Sequence, residues 1–215
     1  MKKLLLFVLV AVGVGLVGCS DESENEGTDK AVEEESEKEV AERNAKAVND
    51  IDDDEVIGNV GEVEMTGEDL RYEMKRLELI YALSGDSTEA SPTVAIQEFT
   101  RNVIIHQLAE EQDIAVNESE QEKRAKAVRD DLSSNESYED VMKDVDEEVF
   151  WERETERYEI ILEAEELITL LMEEEKKDHP DYTEQALRFD AQEALDEWIQ
   201  EKLSGLEVHF EEIEG

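Results

Sequence analysis

Val56-Ile57-Gly58-Asn59-Val60-Gly61-Glu62-Val63-Glu64-Met65-Thr66 decides the fold of this chain. Two short runs rich in valine and isoleucine flank Gly61-Glu62, the composition of a β-hairpin closed by a tight turn. Thr66 then stands where a helix begins. Its hydroxyl can accept from the first helical turn, and Asp69, three residues on, can reach back to the cap nitrogen. Leu70, Met74, Leu77, Ile80 and Tyr81 follow at steps of three and four, so the spacing predicts a helix that stops near Ser84-Gly85.

Helical periodicity continues downstream. After Ser91-Pro92 the stripe is Ile96, Phe99, Val103, Ile104 and Leu108, ending near Gln112-Asp113. Ile114-Ala115-Val116 is an extended link, and Asn117 with Glu120 forms a capping pair for a polar helix over Glu118 to Leu132, with Ala125, Val128 and Leu132 facing inward. A short helix near Tyr138 to Lys143 precedes a long one from about Asp146 to Lys177, marked by Trp151, Tyr158, Ile161, Leu162, Ile168, Leu171 and Met172. Asp178-His179-Pro180-Asp181 is a turn. The last helix opens at Thr183-Glu184, buries Ala186, Phe189, Ala194, Leu195, Trp198, Ile199 and Leu203, and closes with Gly205 at the position after the cap. Leu206-Glu207-Val208-His209-Phe210 alternates like a strand. A lone hairpin is marginal in water, so this terminal strand is expected to pair with it and bring the two ends of a mainly α body together.

Upstream of residue 56 the chain changes character. Met1-Lys2-Lys3 is a positive start, Leu4 to Gly15 is an apolar run too short to span a ~30 Å hydrocarbon core comfortably, and Leu16-Val17-Gly18-Cys19 follows. The pattern resembles the lipobox of bacterial lipoproteins, which implies a signal over residues 1–18 and acylation of Cys19, the only cysteine. Residues 20–55 hold sixteen acidic and four basic side chains and no aromatic. Such composition cannot bury enough apolar surface to offset ordering entropy. Residues 19–55 are therefore expected to be an acidic tether, and residues 56–215 the folded body.

Charge and composition exclude several functions. Sixty-two acidic against twenty-one basic residues give a formal net charge of −41, which repels nucleic-acid phosphates and anionic headgroups. Membrane attachment must then come from the acyl chains alone. Screening relieves such self-repulsion, so a saline or alkaline external habitat and a helicity that rises with salt are expected. One cysteine forms no internal disulfide, and His106, His179 and His209 lack metal-ligand spacing, so no metal site is expected. Phosphate-cradling glycine motifs are missing from the sequence, and no cofactor is expected. Carboxylates occur everywhere, so no acid–base pair stands out and no enzyme is expected. Glu163, Glu165 and Glu166 read as a solvated face, and His106 as a surface or satisfied, partly buried residue.

Ile57-Gly58-Asn59-Val60-Gly61-Glu62-Val63-Glu64-Met65-Thr66 resembles the opening hairpin of the SurA N-terminal domain and the PrsA-type foldases, departing at Val60, where that family favours Asn. Leu108 to Glu120 is similar to the family's next segment, a helix end, a β-like link and a capped helix. Phe150-Trp151-Glu152 with Tyr158, then Ala194-Leu195-Asp196-Glu197-Trp198-Ile199 and Leu206-Glu207-Val208, resemble its long helix and its closing helix and strand. The resemblance covers residues 56–210. It implies a SurA N-terminal-like helical domain, and only Lys176 to Tyr182 stands where many relatives insert a parvulin-type isomerase. The implied role is an extracytoplasmic chaperone on the cell membrane that holds unfolded exported polypeptides without isomerising prolines.

Tyr72, Leu79 and Leu83 fall off the main stripe of the first helix and are the candidate client contacts. Met65, Met74, Met142 and Met172 could add adaptable contacts, although core packing is the simpler reading for them, as for Trp151 and Trp198. A cell-surface adaptor binding another envelope protein through the long helix is the alternative, and a two-lobed solute-binding lipoprotein lacks the required strands.

Overall fold

The computed structural model describes residues 46, 48–86, 88–211 and 213. The signal run, Cys19 and the tether as far as residue 45 lie outside them. The hairpin forms as its sequence dictates: β1 (Val56–Val60) pairs antiparallel with β2 (Val63–Thr66), Val60 opposite Val63 across the Gly61-Glu62 turn. A register irregularity falls between Val56 and Gly58. At the far end of the chain, β3 (Val208–Phe210) pairs antiparallel with β1 on its other side, giving the strand order β2-β1-β3. Gly58 lies opposite Phe210, and a Cβ there would sit 2.2 Å from the Phe210 ring, so this position admits no side chain. Both ends of the helical body thus meet in one small sheet.

Helix α1 (Gly67–Ser84) starts with the expected box: Asp69 N donates to Thr66 Oγ1 at 3.3 Å, and Thr66 N donates to Asp69 Oδ2 at 2.8 Å. Gly85 ends it in the left-handed conformation. Helix α2 (Pro92–Glu111) begins at Ser91, with proline in its first turn where no donor is lost. Helix α3 (Glu118–Leu132) is capped by Asn117, which accepts from Ser119 N at 2.9 Å, while Glu120 turns to Lys123 and Arg124. Short α4 (Glu136–Met142), long α5 (Glu147–Asp178) and α6 (Glu184–Gly205) complete the body.

Three apolar clusters hold these elements. Under the sheet, Val48, Ile57, Met65, Leu70, Leu77 and Ala95 pack with Phe99 and Phe210. At the other end, α2, α5 and α6 bury Ile104, Ile105, Leu108, Leu167, Ile168, Leu171, Ala191, Leu195 and Ile199. The third cluster joins α1, α3, α4 and α5 through Leu79, Leu132, Tyr138, Met142, Phe150 and Trp151. In it Trp151 Nε1 donates to Tyr138 Oη at 2.8 Å, and Tyr138 donates to Glu147 at 2.7 Å. Burial first, opposed by the Trp151 hydrogen bond and helped by Glu147, pushes the Tyr138 hydroxyl up to about 12.

Several expectations need correction. The body begins earlier than residue 56: Val48 is buried, Ile51 packs under the sheet, and Arg71 donates to the Val48 and Ile51 carbonyls at 3.1 and 2.8 Å. Gly67 makes this possible, since a Cβ there would meet Asp52 O at 2.3 Å. Phe189 is 59% exposed, because the buried stripe of α6 is Leu187, Ala191, Leu195 and Ile199. Gly205 is the last helical residue, and extended Leu206 leads the chain out instead of a left-handed glycine. On α5, Leu162, Leu167, Ile168 and Leu171 are buried inside the body.

Candidate functional site

Between the sheet cluster and the other two runs a polar seam, built where α1, α2 and the first half of α5 face one another. Arg76 on α1 donates through Nε to Glu73 at 2.9 Å and through Nη2 to Glu98 of α2 at 2.8 Å. Both Glu73 and Arg76 are buried. Desolvation opposes the Arg76 charge, but Glu73, Glu154 and Glu98 outweigh it and raise its affinity for its proton. Tyr72 Oη donates to Glu154 at 2.7 Å, and the Arg153 guanidinium lies over its ring, 4.6 Å from the centroid. Burial, then the charge of Glu154, raises the Tyr72 hydroxyl well above its ordinary value, so it stays a fixed neutral donor.

Farther along, His106 Nδ1 of α2 lies 2.9 Å from Glu163 Oε1 of α5. Glu163 is only 3% exposed, which overturns its reading as part of a solvated face. Glu165 does not stand free in solvent either, since Arg124 grips it with two hydrogen bonds of 2.9 Å, tying α3 to α5. Burial raises the Glu163 carboxyl, and the His106 hydrogen bond and charge only partly offset that. On His106, burial pulls the other way, but Glu163, Glu110 and Glu159 together carry the imidazole above its ordinary value.

A groove of about 290 Å³ opens along this seam. Phe99, Tyr72 and Ile160 supply its apolar surface, and Glu156, Arg157 and Glu159 project from α5 along it. Arg157 is the anomaly. Arg71, Arg76, Arg101, Arg124, Arg129 and Arg153 each pair with a carboxylate. Arg157 and the exposed Arg188 form no such pair among the described residues, and of the two only Arg157 has its Nε buried without a hydrogen-bond partner. A larger hollow of about 580 Å³ lies between α3 and α5 over Trp151, but its cations Arg129 and Lys126 are already paired with Glu147 and Asp130.

The residues singled out for client contact are not in this groove as a set. Leu79 is 6% exposed and belongs to the third cluster, with Leu83 packed against it. Tyr72 alone reaches the groove, held by Glu154 and tilted against Phe150 with ring centroids 5.7 Å apart. In the closed body, then, Leu79 and Leu83 are packing residues, because α4 and α5 cover a second face of α1. Cys19 lies outside the described residues. Of the methionines, Met65 and Met142 are buried, and Met74 and Met172 pack against the core. Among the described residues, no cluster of three or more histidine, cysteine, aspartate or glutamate side chains could hold a metal ion. No helix among them is long and apolar enough to cross a membrane.

No family model, no curated protein and no solved structure matches this chain.

Proposed function

We propose that this protein is a lipid-anchored extracytoplasmic chaperone that holds unfolded exported polypeptides and has no prolyl isomerase activity. The observation that carries the reading is the joining of both ends of the helical body in one sheet: β3 returns to β1 beside the opening hairpin. That closure is the arrangement the resemblance to the SurA N-terminal domain implies. Residues 179–183 alone connect α5 to α6, at the point where isomerase-bearing relatives would carry their extra domain.

The surface chemistry supports the same reading. Capture of an unfolded chain needs accessible apolar surface beside a soluble rim, and the groove pairs Phe99 and Ile160 with unpaired carboxylates. At ~25 cal/mol per Å², a few hundred Å² of such contact gives weak, reversible binding, which suits release. The net charge of −41 would keep a loaded complex in solution. The purified mature chain should suppress light scattering by a reduced, unfolded client while leaving the isomerisation rate of a proline test peptide unchanged. Unaltered aggregation refutes the chaperone reading, and accelerated isomerisation refutes its second clause. Cys19→Ala should move the protein from the membrane to the soluble fraction, and persistent membrane association would refute the anchor.

A further inference from the structure

We propose that the groove between α1, α2 and α5 is a docking site for an extended polypeptide segment carrying a basic side chain next to an apolar one. The proposal deepens the chaperone reading by naming the class of client. It starts from Arg157: a chain with sixty-two acidic residues offers an arginine abundant partners, yet this one has none among the described residues. Arg157 lines the groove, and a main-chain carbonyl of an extended segment could accept a hydrogen bond from its terminal nitrogens.

The neighbours select the rest of the ligand. A free anion at Arg157 would face Glu73, Glu156 and Glu159 across a groove of about 290 Å³, whereas a neutral carbonyl dipole would not be repelled. Glu156 and Glu159 pair with no cation among the described residues, unlike Asp69, which is held by Arg153, and Glu73, which is held by Arg76. They stand one helical turn before Ile160 and beside it, so a lysine or arginine of the segment meets carboxylates while its apolar neighbour covers Phe99 and Ile160. The occupant is therefore a basic, amphipathic stretch of unfolded chain, and charge complementarity with the strongly acidic body steers it there.

The test uses the mature chain and two fluorescein-labelled peptides of one apolar sequence, one bearing lysines and one bearing glutamates at the same positions. Anisotropy should show binding of the lysine peptide only. Glu156→Gln with Glu159→Gln should weaken it about tenfold, the sum of two half-exposed ion pairs. Glu173→Gln with Glu174→Gln, on an exposed stretch of α5, changes the net charge equally and should leave affinity within about twofold. Equal loss in both double variants would mean diffuse attraction to the acidic body and overturn the site. Failure of the lysine peptide to bind, while aggregation of a full client is still suppressed, would overturn the site and leave the chaperone reading standing. Binding at the groove without any suppression would do the reverse.

Discussion

The two halves of α5 perform opposite tasks with the same helical geometry. Its second half presents Leu167, Ile168 and Leu171 to α2 and α6, and apolar contact closes that end. Beyond Phe150 and Trp151, which join the third cluster, its first half presents Arg153, Glu154, Arg157 and Glu159 toward α1 and α2, where polar side chains line a groove. Apolar packing brings helices to full contact because every methylene buried adds to stability. A charged seam stops short of that, since each buried charge must keep a partner. That partial closure leaves the groove along the N-terminal half of α5.

The largest effect should come from breaking the seam at its most buried pair. Arg76→Met strands the buried Glu73 carboxylate without its cation, and unfolding in urea should show a loss of about 3 kcal/mol. Replacing both partners, Glu73→Leu with Arg76→Met, should recover most of that, because two apolar side chains need no partner. If the double variant is no more stable than the single one, Glu98 and Asn102, rather than the Glu73–Arg76 pair, carry the seam. The apolar half should answer differently. Leu167→Ala, at a position fully out of solvent, should cost about 3 kcal/mol with no partner able to rescue it, while peptide binding at the groove stays unchanged. A loss of binding in that variant would show that the two halves are coupled.

Local signals in the sequence carried far. The hairpin, the Thr66–Asp69 box and the Ser91-Pro92 start each depend on neighbours within a few residues and form as expected, while the terminal strand of Leu206 to Phe210 shortens to Val208–Phe210 with Val208 exposed. The losses occurred where one element touches several others. Leu79 and Leu83 look exposed on a helix considered alone, but α1 is covered on two faces, one toward the sheet and one toward α4 and α5. Val48 and Ile51 were hidden by the acidic run around them, although Gly67 and Arg71 lie ready to receive them. Phe189 follows Ala186 at a helical step, but the face that packs runs through Leu187 and Ala191, and Phe189 sits about 200° round the helix from Leu187. The seam was the least legible part: His106 and Glu163 are 57 residues apart, and no spacing rule links them. The clue available was scarcity, since Arg153 and Arg157 stand one turn apart amid an excess of acid.

The smallest effect concerns where the seam meets the apolar half, at His106 and Glu163. The folded protein holds both groups above their ordinary values, and the signs agree. For His106, a raised folded value means the added stability is complete below the unfolded imidazole's ~6.5 and is lost as pH rises through the folded value. For Glu163, burial disfavours the carboxylate, so ionising it above ~4.3 costs stability, again as pH rises. Glu110 on α2 and Glu159 on α5 strengthen the His106 proton's hold, with Glu73 and Asp69 of α1 and Arg153 and Arg157 of α5 lining the same groove. Melting curves of the native chain and of His106→Gln should therefore be farthest apart near pH 5.5, by at most about 1 kcal/mol because the imidazole is half exposed, and should converge by pH 9. Subtracting the variant removes the background titration of the many surface carboxylates, which shifts both curves alike. A gap that stays constant with pH would mean that Glu163 is held by packing alone, and the boundary between the halves of α5 would then lie nearer Arg157.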